Sequence, residues 1–407
     1  MLTSTATFRQ VTVFFFFHWF AAGLWQVSFG NVLKYAGLDR YIALAFAFTA
    51  AAALISPLLA GSFADRSIPP VQLLRWLYWF SGLSLTAVFA AIELNRGGNL
   101  MLVCMLLYSL CYSPCSSLLT SIALSNLCKP SAEFGLVRMW ATVGWMLAGY
   151  VVSWVLVADT SALSGYVAGG VLIALGFATY LLPAWQVPIA RKARNWKEVF
   201  GLDALALLRH PDHRTILITV TLFGVPLAAF YMYTPLQLTA LGVGHPTATM
   251  ALGQTTEVIA LLTLAAVLRR IRLKWAILTG LVTGVVRLAL FALNTRTSML
   301  IGITLHGLCF VLFSVVVQIY LAERVERAMQ ARAQALFAML TIGVSNLVGY
   351  LGTGGWFLLV TRDGVTHWSL YWSGLCATTL AITFYFAWAY HGRGQGFSRG
   401  LATAQEE

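Results

Sequence analysis

Charge of either sign is scarce in this chain: of its 407 residues 14 are Asp or Glu and 26 are Lys or Arg, and charged side chains make up only 10%. Soluble domains carry about 25% charged residues, so a fold wetted on every side is excluded. Cysteine is sparse too. The six, Cys104, Cys111, Cys115, Cys128, Cys309 and Cys376, fall in or at the edges of apolar runs without metal-ligand or disulfide-framework spacing. They are expected to be small buried packing residues, and no metal or other cofactor is expected. The chain lacks a nucleophile paired with a base and a phosphate-cradling glycine loop, so enzyme chemistry is not expected. No small-residue cleavage pattern follows the first apolar run, which is long and aromatic, so no leader is expected to be removed. Alternating stretches of about ten residues, the mark of a membrane barrel, are missing as well.

Apolar residues fill the space, at 59% of the chain. A hydrocarbon core about 30 Å thick is crossed by roughly 20 mainly apolar helical residues. Such runs occur at 11–33, 41–62, 71–92, 100–123, 134–156, 165–182, 215–241, 247–268, 275–294, 299–322, 333–359 and 370–390. The fold class is therefore all-α and polytopic, with twelve transmembrane helices. The only long charged connection, 183–214, splits them six and six. The expected organisation is a six-helix bundle over 1–190, a cytoplasmic linker over 191–214, a second bundle over 215–396 and a tail over 397–407. Within the linker, 196–208 mixes apolar and charged positions as a helix lying in the membrane interface does.

Orientation follows from the basic residues, which stay on the cytoplasmic side of short loops. With the N-terminus inside, only Lys34, Arg40, Arg96, Arg296 and Arg362 fall on the opposite side, and Arg138 and Arg287 fall within spans. Both termini are then cytoplasmic. The net charge of +12 is spread over membrane-flanking loops, which suits anionic lipid and not nucleic acid. The expected partners are the lipid bilayer, a small-molecule solute and a proton, with the chain working as a monomer.

Two six-span halves around a cytoplasmic linker match the repeat architecture of secondary transporters, whose solute site lies near the midplane. An ionisable side chain within a span costs about 2.5 to 3.5 kcal/mol on insertion scales and calls for a cavity, a partner or a function. Arg138, Thr142 and Trp145 follow an i, i+4, i+7 rhythm that places a cation, a hydroxyl and an aromatic ring on one face of the fifth span. An arginine that snorkels or pairs for packing is the structural alternative. Gly135, Gly144 and Gly149 are expected to give that span close helix contacts.

Gln254 and Glu257, one turn apart on the eighth span, offer an amide and the only acid deep in any span. A carboxylate there suits proton carriage, and a structural ion pair with Arg287 is the alternative. His306 and Phe310 share a face of the tenth span. Tyr112, Ser116 and Thr120 share one on the fourth, where hydroxyls commonly bond back to their own helix. His18, Trp19, Trp25 and Gln26 in the first span stay undecided between cavity and lipid.

The run Phe134-Gly-Leu-Val-Arg138-Met-Trp140-Ala-Thr142-Val-Gly-Trp145 resembles the fifth-span signature of the nucleoside:proton symporter family of the major facilitator superfamily. Gly61-Ser-Phe-Ala-Asp65-Arg66 is similar to the superfamily's loop after the second span. Gln254-Thr-Thr-Glu257, Val286-Arg287-Leu-Ala-Leu-Phe-Ala and Ala331-Arg332-Ala-Gln334-Ala-Leu-Phe337 resemble the family's eighth, ninth and eleventh spans. The resemblance implies the major facilitator fold, with the nucleoside contacted at Arg138, Thr142, Trp145, Gln254, Glu257 and Phe310. His306 stands where the family has a tyrosine. Asp65, Arg66 and Arg287 take gating or structural roles. Leu227 and Phe230 replace two amides of the seventh span, and Val311 replaces an acid of the tenth.

The function this implies is proton-coupled import of a nucleoside or similar polar ring compound by alternating access, with Glu257 as the proton carrier. Transport of another solute, such as a sugar, a siderophore-like aromatic or an exported drug, is the alternative. A membrane sensor or enzyme is the reading of a different class.

Overall fold

The computed structural model describes residues 4–64, 68–128, 130–182, 202–325 and 327–392. Helices make up almost all of it. Helix α1 runs over Thr5–Gln26 and continues as Phe29–Tyr35, α2 is Ile42–Ala64, α3 is Pro70–Glu93 and α4 is Gly98–Asn126. Pro130–Tyr150 forms α5 and Leu163–Ala178 forms α6. Helix α7 is Pro211–Leu227 resumed as Ala229–Ala240, α8 is Pro246–Arg270 and α9 is Leu273–Ala292. Helix α10 is Arg296–Phe310 prolonged through Val316–Arg324, α11 is Arg327–Ala338 prolonged through Asn346–Val360, and α12 is Trp368–Ala389. Thr361–Arg362 and Val365–Thr366 pair antiparallel as β1 and β2 between the last two helices.

Eleven of these helices are long and apolar enough to cross a membrane. The twelfth, α2, has 23 residues and not one charged side chain, so the expected twelve spans are present. Regularity gives way to single π turns at Val151–Val155, Val311–Val315 and Met339–Ser345. Helix α7 is interrupted at Ala228, two residues after Pro226, whose ring removes a helical hydrogen bond. Where local chemistry starts a helix it is legible: Thr295 and Ser298 form a reciprocal capping box at α10, with the Ser298 amide donating to Thr295 Oγ1 at 3.2 Å.

Packing divides the chain into two compact units, Met1–Val199 with Ala229–Ala251, and Phe200–Ala228 with Leu252–Glu407. In the first, α1 lies along α5, and α3 lies along α4 and α6. The α1 and α5 backbones nearly touch, since a Cβ on Gly23 would meet the Trp145 carbonyl oxygen at 2.8 Å. Small residues permit this approach between membrane helices. Gly144 and Gly149 make the expected close contacts with neighbouring backbone, but Gly135 has nothing within 4 Å, because it lies on an exposed face of α5. In the second unit, α9 packs on α10 and α12, and α7 on α11 and α12.

The expectation for 196–208 falls partly outside the described residues. Its described end, Leu202–Arg209, is a 3-10 helix whose Ala204 is buried against Leu217 and Leu336. Asp65 and Arg66 also lie outside the described residues. Among the cysteines, Cys115 and Cys309 are buried as expected but Cys128 is exposed, because it follows the last turn of α4.

Candidate functional site

In the first unit α5 carries Arg138, Thr142 and Trp145 on successive turns. Trp145 and Thr142 are half-buried and Arg138 is exposed. The Arg138 guanidinium lies 4.9 Å from the Trp19 ring of α1, an attraction between cation and ring face. Trp19 in turn meets Trp145 at 6.2 Å between centroids. Trp145 meets Tyr231 of α7 edge-on at 5.8 Å. Trp19, undecided from the sequence, thus joins the Arg138 face. Tyr231 carried no signal there, because its neighbours are tertiary and lie far away in the chain.

His18 sits behind this face, fully buried, with its ring stacked on Tyr112 at 4.6 Å and its Nδ1 3.3 Å from the Tyr78 hydroxyl. Tyr112 donates to the His18 carbonyl at 2.9 Å, and Trp25 Nε1 donates to the Tyr108 hydroxyl at 3.1 Å. Ser116 and Thr120 bond back within α4, to the carbonyls of Ser113 and Ser116. The fourth-span hydroxyls are therefore engaged with protein, and Tyr112 braces α1 against α4.

The second unit gathers Gln254, Glu257, His306, Phe310 and Arg287. Gln254 is buried and Glu257 half-buried on α8. Glycine makes this grouping possible: a Cβ on Gly307 of α10 would land on the backbone of Glu257, and one on Gly253 would meet the His306 Cβ at 3.1 Å. With α8 and α10 in such close contact, the Glu257 turn lies beside the His306 turn. His306 stacks with Phe310 at 6.3 Å and 22°, and Phe310 keeps 38% of its surface. Arg287, only 1% exposed, has its guanidinium 5.6 Å from the Phe291 ring and a side-chain hydrogen bond with Cys309. Its charge also reaches His306. Of the departures from the resembled pattern, Phe230 is 2% exposed and Val311 fully buried.

Chemically, one unit offers a planar cationic fork beside aromatic faces. The other offers an amide, a carboxylate, an imidazole and a partly open phenyl ring. Each group offers hydrogen-bonding and ring surfaces of the kind a small polar ring compound uses. Among the described residues, no group of three or more His, Cys, Asp or Glu is gathered as a metal site needs.

The sequence pattern described as nucleoside H+ symporter matches residues 5–394. The putative nucleoside transporter YegT of Escherichia coli is 30% identical over 385 residues, covering 91% of this chain and 89% of that protein. The xanthosine permease of Escherichia coli is 25% identical over 409 residues, covering 94% and 96%. The crystal structure of a mutant of the nucleoside transporter NupG superposes with a TM-score of 0.85 at 22% identity, covering 94% of this chain and 99% of that one. At that identity the superposition speaks for the fold.

Proposed function

This chain belongs to the nucleoside H+ symporter family, and on that premise we propose that it imports a nucleoside, using Arg138, Thr142 and Trp145 in one unit and Gln254, Glu257, His306 and Phe310 in the other. Family membership makes it a multi-pass membrane transporter of the major facilitator fold, coupling a small solute to protons, and not an enzyme. Our reading adds the direction of transport, the residues and the topology. Both termini are cytoplasmic in an inner membrane, from the basic residues of the loops; a reporter fused after Glu407 that reads as external would overturn this.

The observation that carries the residue assignment is the setting of Glu257. It is half-buried on the turn that faces Gly307 and one turn from the buried Gln254. An acid there can exchange a proton while a neighbouring amide holds the solute. The Arg138 fork, held over Trp19, supplies directional donors that an ammonium lacks. Phe230 and Val311, the apolar replacements that would favour a greasier solute, are buried and present little surface to one. That supports a polar ring compound over a drug-like one.

The test is uptake of labelled nucleosides into proteoliposomes with and without an imposed pH gradient, alongside counterflow. Glu257→Gln keeps size and hydrogen bonding but fixes the neutral state. It is expected to abolish gradient-driven accumulation while exchange continues, since exchange needs only the loaded protein to reorient. A well-folded Glu257→Gln protein that still concentrates nucleoside would refute the coupling role.

A further inference from the structure

Arg138, Trp19, Trp145 and Tyr231 form a continuous run across α5, α1 and α7. All three rings are half-buried, so each spends part of its surface on packing and keeps part uncovered. Core aromatics of the same unit differ: Trp25 and Tyr108 are 2% and 1% exposed and bonded to each other. Outward-facing ones differ in the opposite sense, with Trp76 at 47% and Trp154 at 60%. A guanidinium at the head of the run also argues against contact with lipid, where a charge is costly.

Tyr231 lies on the second part of α7. The helix is interrupted only at Ala228, and Leu227 and Phe230, the two positions where the resembled pattern has amides, flank the interruption. Phe230 is buried and its ring lies 4.9 Å from Tyr231 at 62°. Phe230 therefore braces its neighbour, and Tyr231 is the residue of this turn that stands against Trp145.

We propose that Tyr231 is a specificity-determining residue for the transported solute, and that Trp19 is a positioning residue for Arg138. The proposal rests on the nucleoside reading above and adds how the solute is selected. An amide carries two donors and an acceptor and can read the edge of a base at two points; a phenol carries a flat ring and one hydroxyl that donates and accepts. Stacking is tolerant of base identity because every base has a π face. At this face Tyr231 offers a ring and one hydroxyl beside Trp145, so it selects a ring-bearing nucleoside over a free sugar and adds little discrimination between bases.

The test is a thermal-shift titration of the purified full-length protein with adenosine, inosine, uridine, cytidine, adenine and ribose, in which a ligand of the native state raises apparent stability. For the wild type, the nucleosides are expected to raise the midpoint and ribose to give no shift, since ribose has no aromatic ring face for Tyr231 and Trp145 to stack on. Tyr231→Phe keeps the ring and should weaken the nucleosides about fivefold, as loss of one hydrogen bond does, with an unchanged ligand-free midpoint. Tyr231→Leu should weaken them further, and Trp19→Phe should weaken binding in the wild type but not in Arg138→Lys. Tyr231→Phe and Tyr231→Leu proteins that bind with wild-type affinity and base preference would overturn the proposal. If adenine or ribose shifts the wild type and no nucleoside does, the nucleoside reading falls, and the Tyr231 variants titrated with that compound still decide the present one.

Discussion

Helix α8 begins with donors that its own sequence cannot satisfy. Pro246 at its first position has no N–H, which suits a helix start, but His245 before it is exposed and is a poor cap. The next two amides are met from the segment after α5. Thr247 N donates to Asp159 Oδ1 at 2.9 Å, Ala248 N donates to Ser153 Oγ at 2.9 Å, and Ser153 Oγ donates to Asp159 at 3.0 Å. The cap is thus supplied from 88 residues away. Its construction carries strain, because Val157, a β-branched residue, holds φ at 50°, a conformation that costs of the order of 1–3 kcal/mol. Asp159→Ala removes a helix cap worth about 0.5–2 kcal/mol and an anion at a helix N-terminus worth about 0.3–1 kcal/mol. Local opening of the first turn of α8 should become easier by about 1–3 kcal/mol, or roughly 5- to 150-fold in the opening equilibrium. Hydrogen exchange resolved to peptides covering 246–251 reads this directly. Exchange at Thr247 and Ala248 should quicken by that factor while the interior of α9 is unchanged, and Ser153→Ala should quicken Ala248 more than Thr247. Unchanged exchange at both amides in Asp159→Ala would refute the cap. Val157→Gly, which frees the left-handed position, is expected to leave this exchange at or below the wild-type rate.

Three further outcomes follow from single contacts. Arg138→Lys retains the charge over Trp19 but loses the planar fork, so the protein should insert and fold while nucleoside affinity falls at least tenfold in the thermal-shift titration. Gly307→Ala places a methyl on the Glu257 backbone, and overpacking of this kind costs about 1–3 kcal/mol; a lowered thermal midpoint and weaker coupling are expected, and an unchanged midpoint would contradict the close approach of α8 and α10. Burial pushes the Tyr390 phenol, just beyond α12, up to about 12, with the nearby Asp212 carboxylate adding to the shift. Since the folded value lies above the ordinary value of about 10, this stabilisation is present below pH 10 and is lost as the pH rises towards 12. Wild-type protein should therefore lose thermal stability across that window more steeply than Tyr390→Phe.

The architecture was legible because lipid leaves few options. A backbone inside a bilayer must satisfy itself, so length and apolarity alone mark each span, and the spans beginning at Pro211 and Pro246 start close to where apolar runs rise. Residues sharing one helix were legible for the same reason, since an i, i+4, i+7 rhythm puts Arg138, Thr142 and Trp145 on one face whatever surrounds them. Contacts between helices were not. Tyr231 of α7 meets Trp145 of α5, and Asp159 caps α8 where a π turn at Val151–Val155 and a left-handed Val157 redirect the chain. Pro226 announces an interruption without saying which residue it sets against Trp145, and neither the π turn nor the left-handed Val157 has a propensity signal in a sequence rich in β-branched residues. Hydroxyls misled in the other direction, because Ser116 and Thr120 look like a polar stripe and are spent on their own helix.

The same contrast bears on coupling. An ion pair between Glu257 and Arg287 is the structural alternative to a proton role, and Glu257→Gln separates the two, since losing the pair would leave Arg287, 1% exposed, without its counter-charge and lower the thermal midpoint. Glu257 is half-buried and backs onto Gly307 through its main chain. On the proposed reading, the backbone contact holds the Glu257 turn in place in either protonation state. A side chain whose position does not depend on its own ionisation can gain and lose a proton without unpacking the helix pair that carries it. That is the requirement a carrier must meet and a purely structural ion pair need not. It is also why Gly307→Ala and Glu257→Gln should fail differently, the first by moving the helix and the second by fixing the charge on a helix that has not moved.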